Sequence, residues 1–215
     1  MEFVIVFGWI ATASSYVIQI IGMQICFDII KKGTTGDMTP FTFISYFCAS
    51  SIWLKYGFLA RINTLIASSF LSSIINLLFI LVFYRYCSKR NTLHCYTFIG
   101  LLLLLLPLVY VQYYQTDIKL ATKHLGLYAV LMSIVAYGAP LASLADVFRT
   151  KSTECISFPL VFANFVVAIE WFIYGGMLGD PFVQYPNLMG IVLGIVQLGM
   201  FVCYPSTNPS RAIIA

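Results

Sequence analysis

Residues Trp171-Phe172-Ile173-Tyr174-Gly175 have a diluted copy earlier in the chain, Trp53-Leu54-Lys55-Tyr56-Gly57, which stands 118 positions before (171 − 53). The same offset carries Asp28 onto Asp146, Thr34-Thr35 onto Ser152-Thr153, Ser69 onto Asn187, Phe83 onto Phe201 and Tyr86 onto Tyr204. Most other pairs share only hydrophobic character. A weak repeat at one fixed offset, in a very apolar chain, marks a duplicated membrane bundle.

Composition points the same way. Of the 215 residues, 60% are hydrophobic and 9% charged, and the mean hydropathy is +0.92. A soluble domain carries about a quarter charged residues. This chain cannot build that surface, so its solvent is lipid. The net charge of +4 is scattered, and no basic run forms a nucleic-acid face. Cys26, Cys48, Cys87, Cys95, Cys155 and Cys203 stand singly, and His94 and His124 are far apart in sequence. No metal site, disulfide framework or cofactor is expected. The apolar stretch after Glu2 has no basic lead and no small-residue cleavage site, so it reads as a retained span.

A bilayer span needs about 20 apolar residues. Seven stretches qualify: Val4–Phe27, Phe41–Ala60, Thr64–Tyr84, Tyr96–Gln115, Leu125–Ala145, Ile156–Leu178 and Phe182–Tyr204. They read as helices, since lipid cannot satisfy exposed backbone groups and barrel alternation is missing. With the N-terminus outside or lumenal, Lys31, Lys32, Arg85, Lys89, Arg90, Arg149, Lys151 and Arg211 fall inside. Lys55, Arg61, Lys119 and Lys123 then fall outside. The excess of inner positive charge favours this orientation, with a cytosolic C-terminus.

The offset maps the first three spans onto the last three. Three helices end on the side opposite their start, so a direct second copy would be inverted. One extra helix restores the direction. The fold expected is therefore all-α: two parallel three-helix bundles, residues 1–90 and 121–205, joined by an inversion linker helix within 91–120. The linker carries the greasy Leu101–Leu106 run, and a short tail, 206–215, follows the second bundle.

Several residues invite a functional reading beside a plainer one. Trp53 and Trp171 are interfacial belt residues, or a pair of flat platforms on which the C–H faces of a sugar stack. Ser69 and Asn187 are helix–helix hydrogen-bonding groups, or neutral partners for sugar hydroxyls. Ala49 and Val167 lie one helical turn before the tryptophans, where they pack or set cavity width. Tyr56, Arg61 and Asp180, at outer span ends, anchor the interface or close an extracellular gate. Pro140 breaks helical bonding, and Gly22 at the equivalent place weakens it; together they form a hinge pair. Glu170 is the odd ionisable group, one residue before Trp171 and about 100° away around the helix. It meets Lys55 or another helix, or it serves proton coupling.

The spans and the motifs Ala139-Pro140-Leu141, Lys151-Ser152-Thr153-Glu154-Cys155-Ile156-Ser157-Phe158-Pro159, Trp171-Phe172-Ile173-Tyr174-Gly175, Asp180-Pro181-Phe182 and Pro186-Asn187 resemble the SWEET family of sugar transporters. The resemblance covers nearly the whole chain, is strongest in its second half, and is closer to animal than to plant members. It departs from the plant pattern of one proline in each of the first, second, fifth and sixth spans. Gly22, Thr42 and Ser157 stand at three of these positions, Pro40 and Pro159 are displaced by two residues, and Ser69 replaces a third-span asparagine.

The resemblance implies parallel repeats, a property of the family and so not independent of it. It also implies tryptophans that line the substrate cavity, and outer-gate roles for Tyr56 and Asp180; Arg61 is added here as the cation. The function expected is facilitative, bidirectional uniport of a mono- or disaccharide by alternating access, in a plasma or endomembrane and without covalent chemistry. Half a transporter's usual helix count suggests a homo-oligomer. The alternatives are a proton-coupled exporter of an amino acid or related solute, as in PQ-loop relatives, and a non-transporting membrane scaffold.

Overall fold

The computed structural model describes residues 2–36 and 38–204. Arg211 and the 206–215 tail lie outside the described residues. The regular structure described is helical: α1 (Glu2–Lys32), α2 (Phe41–Ala60), α3 (Asn63–Tyr86), α4 (Arg90–Val109), α5 (Ile118–Ala136), α6 (Gly138–Thr150), α7 (Phe158–Leu178) and α8 (Pro181–Cys203). A π-helical turn, Tyr110–Tyr114, extends α4. α5 and α6 together make one broken span, which gives seven spans in the expected 3+1+3 order.

Six spans are long and apolar enough to cross a membrane: α1, α3, α4 with its π turn, α5 with α6, α7 and α8. α2 is more polar, and much of that polarity is turned inward on the helix. Ser45 Oγ donates to Thr42 O at 3.0 Å and Ser50 Oγ to Phe47 O at 3.1 Å. Lys55 Nζ reaches Gln112 Oε1 at 2.9 Å. Hydroxyls bonded to their own turn can sit in a membrane helix at little cost. In α4, Leu101, Leu102, Leu103, Leu105 and Leu106 are exposed and only Leu104 of the run is buried. That surface suits lipid.

The fifth span breaks at Tyr137 because Pro140, three residues on, has no N–H to give the Ala136 carbonyl. α1 runs through Gly22 without a break. Glycine weakens a helix but keeps its donor, so one member of the expected hinge pair interrupts its helix and the other does not.

The repeat extends into backbone conformation. Gly33 (φ 68) and Lys151 (φ 55) are left-handed and 118 residues apart, as are Arg61 (φ 57) and Gly179 (φ 66). After α2, Ile62 N donates to Gly57 O at 3.0 Å; after α7, Asp180 N donates to Gly175 O at 2.9 Å. Both turns bring the next helix hard against a glycine. A Cβ on Gly175 would lie 2.8 Å from Gln184 N, and one on Gly57 would lie 3.0 Å from Ile66 Cγ1. This close approach explains why glycine ends both copies of the aromatic motif.

The chain gathers into two compact units. One comprises residues up to Ile18 together with Tyr137 onward; the other is Gln19–Ala136. The two cuts are again 118 residues apart, inside the first and fifth spans. Each unit therefore contains part of both repeats.

Candidate functional site

In the unit that holds α7, Trp171 is buried, and its Nε1 donates to Ser15 Oγ of α1 at 2.9 Å. Ser15 Oγ itself donates to Ala11 O at 2.8 Å. A hydroxyl has one proton and two lone pairs, so it satisfies its own turn and still accepts the indole. Tyr174 meets the Trp171 ring edge-on, with centroids 5.6 Å apart and planes at 79°. One residue back along both helices, Ser14 Oγ donates to Glu170 Oε1 at 3.1 Å.

The other unit repeats the arrangement. Trp53 Nε1 donates to Ser133 Oγ of α5 at 3.0 Å, and Ser133 Oγ donates to Ala129 O at 3.0 Å. Tyr56 meets Trp53 edge-on at 5.5 Å and 87°. Trp53 and Trp171, Tyr56 and Tyr174, Ser15 and Ser133, and Ala11 and Ala129 are all 118 residues apart. Each tryptophan is thus held by the first helix of the other repeat. The serines escape a reading of single residues, because a serine in a membrane helix ordinarily bonds its own turn, which these also do. The signal that finds them is the offset itself.

The remaining candidates lie on α2, α3, α7 and α8. Ser69 is buried in α3, and its carbonyl accepts from Ser73 Oγ at 2.8 Å; Ser73 Oγ also bonds Ser50 Oγ at 3.0 Å. Two turns beyond Ser69, buried Asn76 donates Nδ2 to Ser72 O at 2.8 Å. Asn76 is a second amide that the sequence reading passed over. Asn187 is half-buried in α8, and its Nδ2 donates to Val183 O at 2.7 Å. Ala49 is buried and Val167 half-buried.

Arg61 is exposed at the C-terminal cap of α2. Asp180 caps α8, with Oδ1 accepting from Phe182 N at 3.0 Å and Val183 N at 3.3 Å. Tyr137, at the helix break, donates its hydroxyl to Pro186 O at 2.7 Å, which ties the break to α8. Of the partners open to Glu170, the structure supplies one from another helix, Ser14, while Lys55 takes Gln112. Glu170 Oε2 is buried and has no hydrogen-bond partner among the described residues.

Seven spans with a duplicated three-helix unit and matched aromatic sites define a multi-pass integral membrane protein. The family described as "Sugar efflux transporter for intercellular exchange" matches residues 5–91 and again 123–209, two matches offset by 118 residues (123 − 5). The chain belongs to that family, the SWEET transporters. "Sugar transporter SWEET1" of Drosophila pseudoobscura pseudoobscura is 32% identical over 190 residues, covering 88% of this chain and 84% of the relative. The Rattus norvegicus protein of the same name is 35% identical over 159 residues, covering 74% and 72%. The 3.7 Å structure of a eukaryotic SWEET transporter matches with a TM-score of 0.73 at 22% identity, over 92% of this chain and 98% of that one.

Proposed function

We propose that this chain carries mono- or disaccharides across a membrane, down their gradient and in either direction, by alternating access. The observation that carries the reading is the matched pair of Trp–Ser–Tyr sets, set beside the relatives named as sugar transporters. An indole fixed through its N–H is held in a single orientation for stacking on a sugar ring. Trp53, Trp171, Ser69 and Asn187 are the substrate contacts, and Ala49 and Val167 set the width beside them. Tyr56, Arg61 and Asp180 form the extracellular gate; Gly22 and Pro140 supply the hinge. The N-terminus is outside or lumenal and the C-terminus cytosolic. The repeats comprise residues 1–90 and 121–205 with the linker helix between, and copies of the chain associate as a homo-oligomer.

A second reading, proton-coupled export of an amino acid or related solute, is favoured by one observation, the buried and unpartnered Oε2 of Glu170. Proteoliposomes separate the two. Uniport requires equal influx and efflux of radiolabelled sugar at matched gradients, and a steady state that ionophores leave unchanged. Accumulation of sugar against its gradient when a pH gradient is imposed would overturn uniport. Flux of amino acids without flux of hexoses or disaccharides would overturn the substrate class.

A further inference from the structure

Glu170 is the one charged residue within α7. Its Oε1 accepts from Ser14 Oγ at 3.1 Å, and its Oε2 is buried without a partner among the described residues. One residue further along both helices, Trp171 Nε1 donates to Ser15 Oγ at 2.9 Å. At the equivalent places in the other repeat stand Ile52 and Met132, and both are buried. One half thus has a polar rung where the other has an apolar pair. Apolar side chains sit in a membrane bundle without loss, whereas a carboxyl there is expensive, the more so with one oxygen bare.

Neighbouring residues on a helix project about 100° apart. A helix held to its neighbour through one side chain can still roll about that contact. Held through two side chains that far apart around its axis, it cannot. The roll of α7 sets where the Trp171 indole points. We propose that Glu170 is a positioning residue: with Ser14 it adds a second α1–α7 hydrogen bond that fixes the orientation of the Trp171 face for the sugar. The proposal rests on the reading of Trp171 as a substrate platform. It makes the two platforms unequal, with Trp171 held by two rungs and Trp53 by one hydrogen bond and apolar packing.

The test is equilibrium exchange of radiolabelled glucose in proteoliposomes, measured as KM and maximal rate. Glu170→Ile copies position 52, and Ser14→Ala deletes the donor. Each should raise KM by about five- to tenfold and leave the maximal rate within about twofold, the mark of lost binding and not of lost turnover. Combining them should add nothing further. Glu170→Gln keeps an acceptor oxygen at the same reach and should restore a KM within about twofold of wild type. Wild-type KM in both Ser14→Ala and Glu170→Ile overturns the proposal. So does a Glu170→Gln variant as impaired as Glu170→Ile, because the carboxyl's proton would then matter and not its position. If Glu170→Ile fails to fold, Ser14→Ala with Glu170→Gln decides. Trp171→Ala in the same assay keeps the two readings apart. Normal transport by it removes the platform and the proposal together. An inactive Trp171→Ala beside normal Ser14→Ala and Glu170→Ile removes the proposal alone.

Discussion

An indole N–H inside a membrane bundle needs an acceptor, because lipid provides none and a bare buried donor is costly. Ser15 and Ser133 each answer that need for a tryptophan of the opposite repeat. Trp171→Ala should abolish sugar flux while membrane expression stays normal, with Trp53→Ala similar or slightly milder. Ser15→Ala and Ser133→Ala should each cost about 1 kcal/mol, roughly a fivefold loss in transport efficiency, since the ring remains but its tether is gone. Transport assays beside a membrane-expression control check all four. Near-normal uptake in both tryptophan variants would end the platform reading. At this scale the sequence shows the aromatic pair plainly, because tryptophan and tyrosine are rare and their spacing repeats. The tethers are harder to see. Ser15 and Ser133 bond their own turns as Ser45 does, and what marks them is the indole that a lone pair accepts, which depends on a helix more than 75 residues away in sequence (133 − 53).

Helix ends give the next scale. Arg61 and Lys151 take a left-handed conformation that glycine takes at the matching turns, Gly179 and Gly33. A residue with a Cβ pays roughly 1 kcal/mol for this geometry. Arg61→Gly should therefore raise the thermal midpoint in detergent, and Gly179→Ala should lower it by a similar amount. An unchanged midpoint in both would show that the turns carry no strain. Arg61→Gly also removes the cation proposed for the gate, so a more stable protein with altered transport is the combined expectation. Pro140 belongs to this scale too. Pro140→Ala restores a donor opposite the Ala136 carbonyl and should fuse α5 with α6. We expect higher stability and a slower exchange rate, and wild-type exchange would exclude a hinge here. The sequence predicts the break because proline acts through its own covalent geometry. It does not predict that α1 stays whole through Gly22, because glycine only permits bending and the surrounding packing decides.

Across the whole molecule, the repeat in the sequence and the compact units in space do not share boundaries. The offset of 118 divides the chain between successive repeats, but each unit takes in a segment of both. The reason lies in the first and fifth spans, whose N-terminal halves hold the tryptophans of the opposite repeat. No local signal announces such an exchange, since an apolar helix packs equally well on either side. The consequence can be tested by cutting the chain. A fragment of residues 91–215 keeps α7 and α8 but loses Ser14 and Ser15, the partners of Glu170 and Trp171. Its indole N–H and carboxyl would then face lipid or a void, at several kcal/mol in total. Residues 1–90 alone likewise lose Ser133, the acceptor for Trp53. Each fragment expressed alone should be degraded or aggregate in detergent. Co-expressed, the two should purify as a complex through a tag on either one and recover sugar flux. Size-exclusion profiles of the single and paired fragments are the measurement. A 91–215 fragment that elutes as one sharp species, as heat-stable as the intact chain, would show that each repeat folds on its own and that the exchanged contacts add little to stability.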